Sequence, residues 1–205
     1  MAEIPLFPLP LVLFPGGRLE LQIFELRYLD MVKNCMRCES GFGIVMIEDG
    51  EQVLRRNDQQ LPTVSHYGTY VTIVDFDQRS NGMLGITVEG QVKFVIRDQY
   101  EATNRLMMAE VEFLEMEEKA PIPEKHENLA NLLDTLVQHE VVKNRVLEID
   151  YGEAREVGSR LTELLPCANR YKQRLLEMKD PVARLNEIGK LIERMQYPKQ
   201  QGRTR

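Results

Sequence analysis

Two thiols three residues apart, in Cys35-Met-Arg-Cys38, form the sharpest chemical motif in this chain of 205 residues. At that spacing they supply half of a zinc site or a redox pair. A closed zinc site takes about four ligands, and no second CxxC or adjacent Cys/His pair completes the set. Cys167, His66, His126 and His139 are scattered over separate elements. Cys35 falls on the apolar stripe of a predicted helix and Cys38 near its end, which suits a buried small hydrophobe and a helix-end residue. No metal and no cofactor are expected, and a redox role for Cys35/Cys38 is left open.

Nucleophilic chemistry is no better supplied. Ser65 and His66 are neighbours on a predicted strand, so their side chains point to opposite faces. There is no Gly-x-Ser-x-Gly elbow, and His139-Glu140 lacks the second histidine of a metalloprotease helix. A phosphate-cradling loop needs Gly-x-x-x-x-Gly-Lys-Ser/Thr. The one Gly-Lys pair, Gly189-Lys190, lies inside a predicted helix, lacks the earlier glycine and is followed by Leu191. No catalytic residue is assigned. Glu110, Glu112, Glu115, Glu117 and Glu118 alternate or cluster as a solvated acidic face rather than a cation site. Of ten methionines, Met107-Met108 among them, most are expected to fill core.

Composition narrows the partners. A net charge of −6 disfavours nucleic acid, whose affinity comes mainly from phosphate neutralisation. The one basic cluster, Lys199, Arg203 and Arg205, sits in a Pro/Gly/Gln-containing tail expected to be disordered. No apolar run approaches the ~20 residues that span a bilayer. Glu3 and the early prolines do not fit a signal peptide. With three cysteines, too few for a disulfide framework, a reducing cytoplasm is expected.

The positioning elements follow from periodicity and punctuation. Pro5, Pro8, Pro10 and Pro15 remove backbone donors, so Ile4–Phe7 and Leu11–Phe14 are predicted as two short edge-like strands. Gly16-Gly17 turns the chain into a strand over Arg18–Phe24. A helix is predicted over Glu25–Cys38, with Phe24, Tyr28, Met31, Val32 and Cys35 as its stripe. Phe42–Ile47 reads as a strand, and Glu48–Leu61 as a loop with turns at Asp49-Gly50 and Asn57-Asp58. Strands are then predicted over Tyr67–Phe76, Met83–Val88, Lys93–Arg97 and Ala109–Met116, with a hairpin at Asn81-Gly82. Ala120-Pro121-Ile122-Pro123 reads as a linker. Beyond it come four helical stripes, through Leu129, Leu132, Leu133, Leu136 and Val137; Val157, Leu161, Leu164 and Leu165; Ala168, Tyr171, Leu175 and Met178; and Leu185, Ile188, Ile192 and Met195. The third starts just after Pro166, and the last opens on Asp180-Pro181, a cap followed by an N-terminal proline.

Three blocks of this sequence together resemble the Lon protease N-terminal domain family, in its short stand-alone form. They are the opening IPLFPLPLVLFPGGRLELQIFELRYLDMV; the segment from Tyr67 with Gly68-Thr69, Ser80-Asn81-Gly82 and Val88-Glu89-Gly90; and LLPCANRYKQRLLEMKDPVARLNEI. Glu20 and Leu26 stand where family members often carry proline.

The resemblance implies an α+β fold, a β-rich PUA-like pseudo-barrel with one helix followed by a C-terminal helical bundle. The expected domains are 1–119, 120–197 for the four-helix bundle, and a disordered basic tail over 198–205. It also implies a non-catalytic module that recognises protein substrates, binding unfolded or client segments for a protease in trans. Lon's ATPase loop is absent, and its protease serine and lysine would lie beyond this chain. Peptide-contacting residues are unassigned: Phe14, Pro15, Gly16 and Gly17 fit an apolar rim or a core-and-turn role equally. Two alternatives stand beside this reading, a PUA-like RNA-binding protein and a small cytoplasmic enzyme with an unrecognised site. Client identity and oligomeric state are left open.

Overall fold

A computed structural model describes residues 1–53, 59–78, 82–139 and 149–196. The expected turn at Asn57-Asp58, Ser80-Asn81 of the hairpin tip and the basic tail lie outside the described residues. The chain divides into two compact units, Met1–Met116 with Pro166–Glu177, and Glu117–Leu165 with Met178–Arg205.

The first unit holds six strands: β1 (Ala2–Leu9), β2 (Arg18–Ile23), β3 (Phe42–Asp49), β4 (Thr63–Gln78), β5 (Leu84–Glu101) and β6 (Met107–Phe113). Helix α1 (Leu26–Arg37) joins β2 to β3. The sheet order is β2-β5-β4-β3-β1-β6, and β6 also pairs with β5. The sheet therefore closes on itself through β5-β4-β3-β1-β6, with β2 added outside on β5. Closure leaves few unpaired backbone edges.

Three expectations change on contact with tertiary structure. The proline-rich start is one strand, not two. β1 pairs antiparallel with β6 over Ala2–Leu6 and parallel with β3 over Leu6–Leu9. Each half is thus paired on one side only, as in an edge strand, where proline is tolerated. Leu11–Phe14 is not a strand; Phe14 is fully buried as core. Gly90 does not break β5. A Cβ there would lie 2.3 Å from Phe14 O, and Gly90 exchanges 2.8 Å bonds with Gly16 and Gly17. The glycine admits the 14–17 turn against a continuous strand.

Helix α4 (Asn169–Glu177) carries the third apolar stripe and belongs to this β-rich unit. Leu175 and Leu176 are buried, Gln173 Nε2 donates to Tyr67 O at 3.1 Å and Asn169 Nδ2 to Pro10 O at 2.6 Å. Buried Lys93 donates from Nζ to Leu176 O. These polar anchors lie between stripe positions, so helical periodicity gives no hint of them.

The second unit comprises a short 3-10 turn at Glu124–His126, α2 (Glu127–Val137), α3 (Ala154–Leu164) and α5 (Pro181–Gln196). Leu129, Leu133, Val157, Leu161, Leu185 and Ile188 are all buried. Asp180 caps α5 as expected, accepting from Val182 N at 2.8 Å and Ala183 N at 3.1 Å. The predicted linker is instead tied down. Ile122 N donates to Gly152 O and Ala154 N to Ala120 O. Glu117, expected on a solvated face, forms a buried ion pair with fully buried Arg184, which also donates to Met178 O at 2.9 Å. Removing one partner of such a pair would cost about 3–5 kcal/mol, because the other charge stays buried.

Candidate functional site

Strands β2, β5 and the outer half of β4 form a three-stranded antiparallel arm. Leu19, Leu21 and Ile23 lie opposite Val88, Ile86 and Leu84. Val88 and Ile86 in turn lie opposite Ile73 and Phe76. Cross-strand partners share a face, so one face of the arm is apolar. The other carries Glu20, Thr87 and Asp75. Helix α1 covers the apolar face: Tyr28, Met31, Val32 and Cys35 share one buried cluster with Leu21, Ile23, Ile86 and Val88. Tyr28 stacks on Phe7 with ring centroids 4.1 Å apart. Burial pushes its hydroxyl up to about 12, against a smaller opposing pull from Arg27.

The cover is incomplete. Pairing between β3 and β4 ends at Phe42 and Val71, where Tyr70 Oη accepts from Gly41 N at 2.5 Å. Among the described residues, no strand pairs with Thr72–Gln78 on the side away from β5. An open groove of about 390 Å³ runs along that side. Cys35, Met36, Glu39 and Ser40 line one wall and residues 72–76 of β4 the other. Phe76 is 59% exposed, Val74 44% and Met36 41%. Phe24, expected on the helix stripe, precedes α1 and is also exposed. A smaller hollow of about 250 Å³ lies by Leu61, Tyr100 and Met107. There the Tyr100 hydroxyl donates to Glu3, and that bond raises its pKa.

The residues singled out for chemistry do not converge. Cys35 is buried with Sγ 3.4 Å from Gly41 O, and burial pushes its thiol up. Cys38 is exposed and Cys167 half-buried, with no disulfide among them. Ser65 is buried and bonded to Glu48 Oε1 at 2.8 Å, while His66 is exposed, on opposite faces as predicted. His126 is buried with a ring nitrogen 2.9 Å from Asn186 Oδ1. His139 is exposed, and Glu140 lies outside the described residues. Gly189-Lys190 lies within α5. Among the described residues, no three His, Cys, Asp or Glu side chains are grouped to hold a metal ion. No helix among them is long and apolar enough to cross a membrane. Of the proposed rim, Phe14 is fully buried, and Gly17 N donates to Phe14 O at 3.0 Å.

Residues 3–194 match the model of the ATP-dependent protease La (LON) substrate-binding domain. The chain belongs to this family. Its fold is that of the Lon N-terminal domain protein from Xanthomonas campestris, whose crystal structure is 32% identical with a TM-score of 0.76. That similarity covers 93% of this chain and 98% of the Xanthomonas one. The N-terminal domain of Mycobacterium avium complex Lon protease shares the fold at 15% identity and a TM-score of 0.56. There 94% of this chain and 98% of the mycobacterial domain are covered. No curated protein matches.

Met36, Val74 and Phe76 escaped the sequence reading. Val74-Asp75-Phe76-Asp77 held the one available signal, apolar residues alternating with carboxylates toward the end of a Lon-domain strand.

Proposed function

We propose that this Lon-domain chain is a non-catalytic protein-binding module that holds exposed apolar segments of unfolded or client proteins. The observation that carries this reading is the uncovered end of the apolar face, where Phe76, Val74 and Met36 border a groove. An exposed aromatic beside an open groove in a folded domain offers burial to a partner. Fully covering a side chain of that size contributes roughly 1.5–3 kcal/mol. Native proteins keep such side chains inside, so the groove favours non-native ones.

The held segment is delivered to an ATP-dependent protease acting in trans, a purpose that the substrate-binding description of the family supports. The family resemblance also supports the PUA-like description of the β-unit, a helical bundle in the C-terminal part and a cytoplasmic setting.

The test is fluorescence anisotropy with a reduced, carboxymethylated protein, its native form and poly(U) RNA as three separate ligands. Micromolar binding of the unfolded form alone is expected. Equal binding of the native form, or salt-sensitive binding of RNA in its place, would overturn the reading.

A further inference from the structure

We infer that the outer half of β4, Thr72–Gln78, recognises its client by accepting it as an added β-strand, and that the preferred client segment alternates apolar with basic residues. This rests on the protein-binding reading above and names the mode and substrate class at the same groove.

Three observations converge. The first is the edge: β5 pairs with one side of Thr72–Phe76, and among the described residues no strand pairs with the other side once β3 ends at Phe42. An unpaired edge offers backbone donors and acceptors to any extended chain. The second is the position of the groove. Its strand wall consists of five successive β4 residues and includes none from β5, so it lies along the unpaired side. A strand seated there would set alternate side chains against Phe76, Ile73 and Met36.

The third is charge. Glu39 and Asp75 line the groove and are exposed, with one Asp75 oxygen, Oδ1, accepting from Phe76 N at 2.9 Å. Carboxylates on an edge repel the same edge of a second copy, a recognised guard against self-association. The β-bulge between Ile73 and Asp75 increases the local twist, which an added strand has to follow. The like charge works against a homotypic pair, and the carboxylates attract lysine or arginine. The occupant is therefore a foreign strand of basic-apolar alternation, not another copy of this chain.

The probe is a fluorescein-labelled heptapeptide, Thr-Val-Lys-Val-Lys-Val-Thr, titrated with the intact chain alongside the carboxymethylated protein. Two further peptides carry backbone N-methyl groups on either the odd or the even residues. Each keeps every side chain and loses the amide donors of one edge. Strand addition uses one peptide edge, so one methylated form should lose about tenfold or more in affinity and the other should bind as the parent does. Asp75→Lys should weaken the lysine peptide about fivefold or more and favour its Glu-for-Lys counterpart. Far-UV circular dichroism confirms that the variant is folded.

Equal binding by both methylated forms, or an unchanged preference in Asp75→Lys, overturns strand addition while unfolded-protein binding stands. Binding of the carboxymethylated protein without the peptide does the same. Loss of all binding overturns both readings. Sedimentation showing a dimer that dissociates in Asp75→Lys would replace the foreign strand with a second copy.

Discussion

The two halves of β4 make the most instructive comparison in the molecule. Its inner part, Gly68–Val71, is flanked by β3 and β5; among the described residues its outer part, Thr72–Gln78, pairs with β5 alone. In the inner part Thr69 and Val71 are buried, and Thr69 Oγ1 donates to Leu13 O at 2.6 Å. In the outer half Val74 and Phe76 face solvent. Both parts mix apolar and polar residues, and neither keeps a strict alternation. What differs is the number of neighbours. Burial is concentrated where the strand has two partners, and apolar side chains are left exposed where it has one.

The largest test of that contrast is Gly68→Ala in the inner half. A Cβ there would lie 2.5 Å from Phe94 Cζ and 2.6 Å from Ile44 O. The backbone oxygen cannot yield easily, so a loss of about 2–3 kcal/mol in urea-unfolding stability is expected. A neutral result would mean that the inner half is not close-packed.

The next test probes the core under α1. Tyr28 is raised from 10.0 to about 12 by burial, so folding favours its protonated form. Its contribution is complete below pH 10 and is lost as pH rises through about 12. Urea titrations across that window should show up to about 2–3 kcal/mol of lost stability that Tyr28→Phe does not show. An identical alkaline loss in the variant would assign it to other groups.

In the outer half, Phe76→Ser should change stability by less than about 1 kcal/mol and weaken capture of carboxymethylated protein several-fold. A large stability loss would place Phe76 with the core and erase the contrast. The smallest effect is chemical. Iodoacetamide should modify exposed Cys38 in the native protein and reach buried Cys35 only on unfolding, as read by peptide mass mapping. Early labelling of Cys35 would show that the α1 wall of the groove opens.

Much of the fold was legible from sequence. The stripe Tyr28, Met31, Val32 and Cys35 gave α1, and Asp180-Pro181 gave the start of α5, because capping and periodicity are local. Ser65 and His66 were separated correctly by strand alternation alone. The single strand through Pro5 and Pro8 was not legible, since it depends on β1 changing partners at Leu6. Nor was Glu117, whose carboxylate looks solvated in sequence and is buried against Arg184. The site was the least legible part, because exposure of Phe76 follows from where β3 stops, a fact held by a different segment.

By itself the sequence determined membership of the Lon substrate-binding family, the alternation of strand and helix, and the lack of a Walker loop within the chain. Those follow from residue order, since turns, caps and periods act over a few positions. Tertiary structure alone decided that the sheet closes through β5 and β6, that α4 joins the β-rich unit, and that among the described residues Thr72–Phe76 pairs with β5 alone beside a groove. Each depends on pairing between residues far apart in the chain, and a strand's pattern does not record how many neighbours it will have.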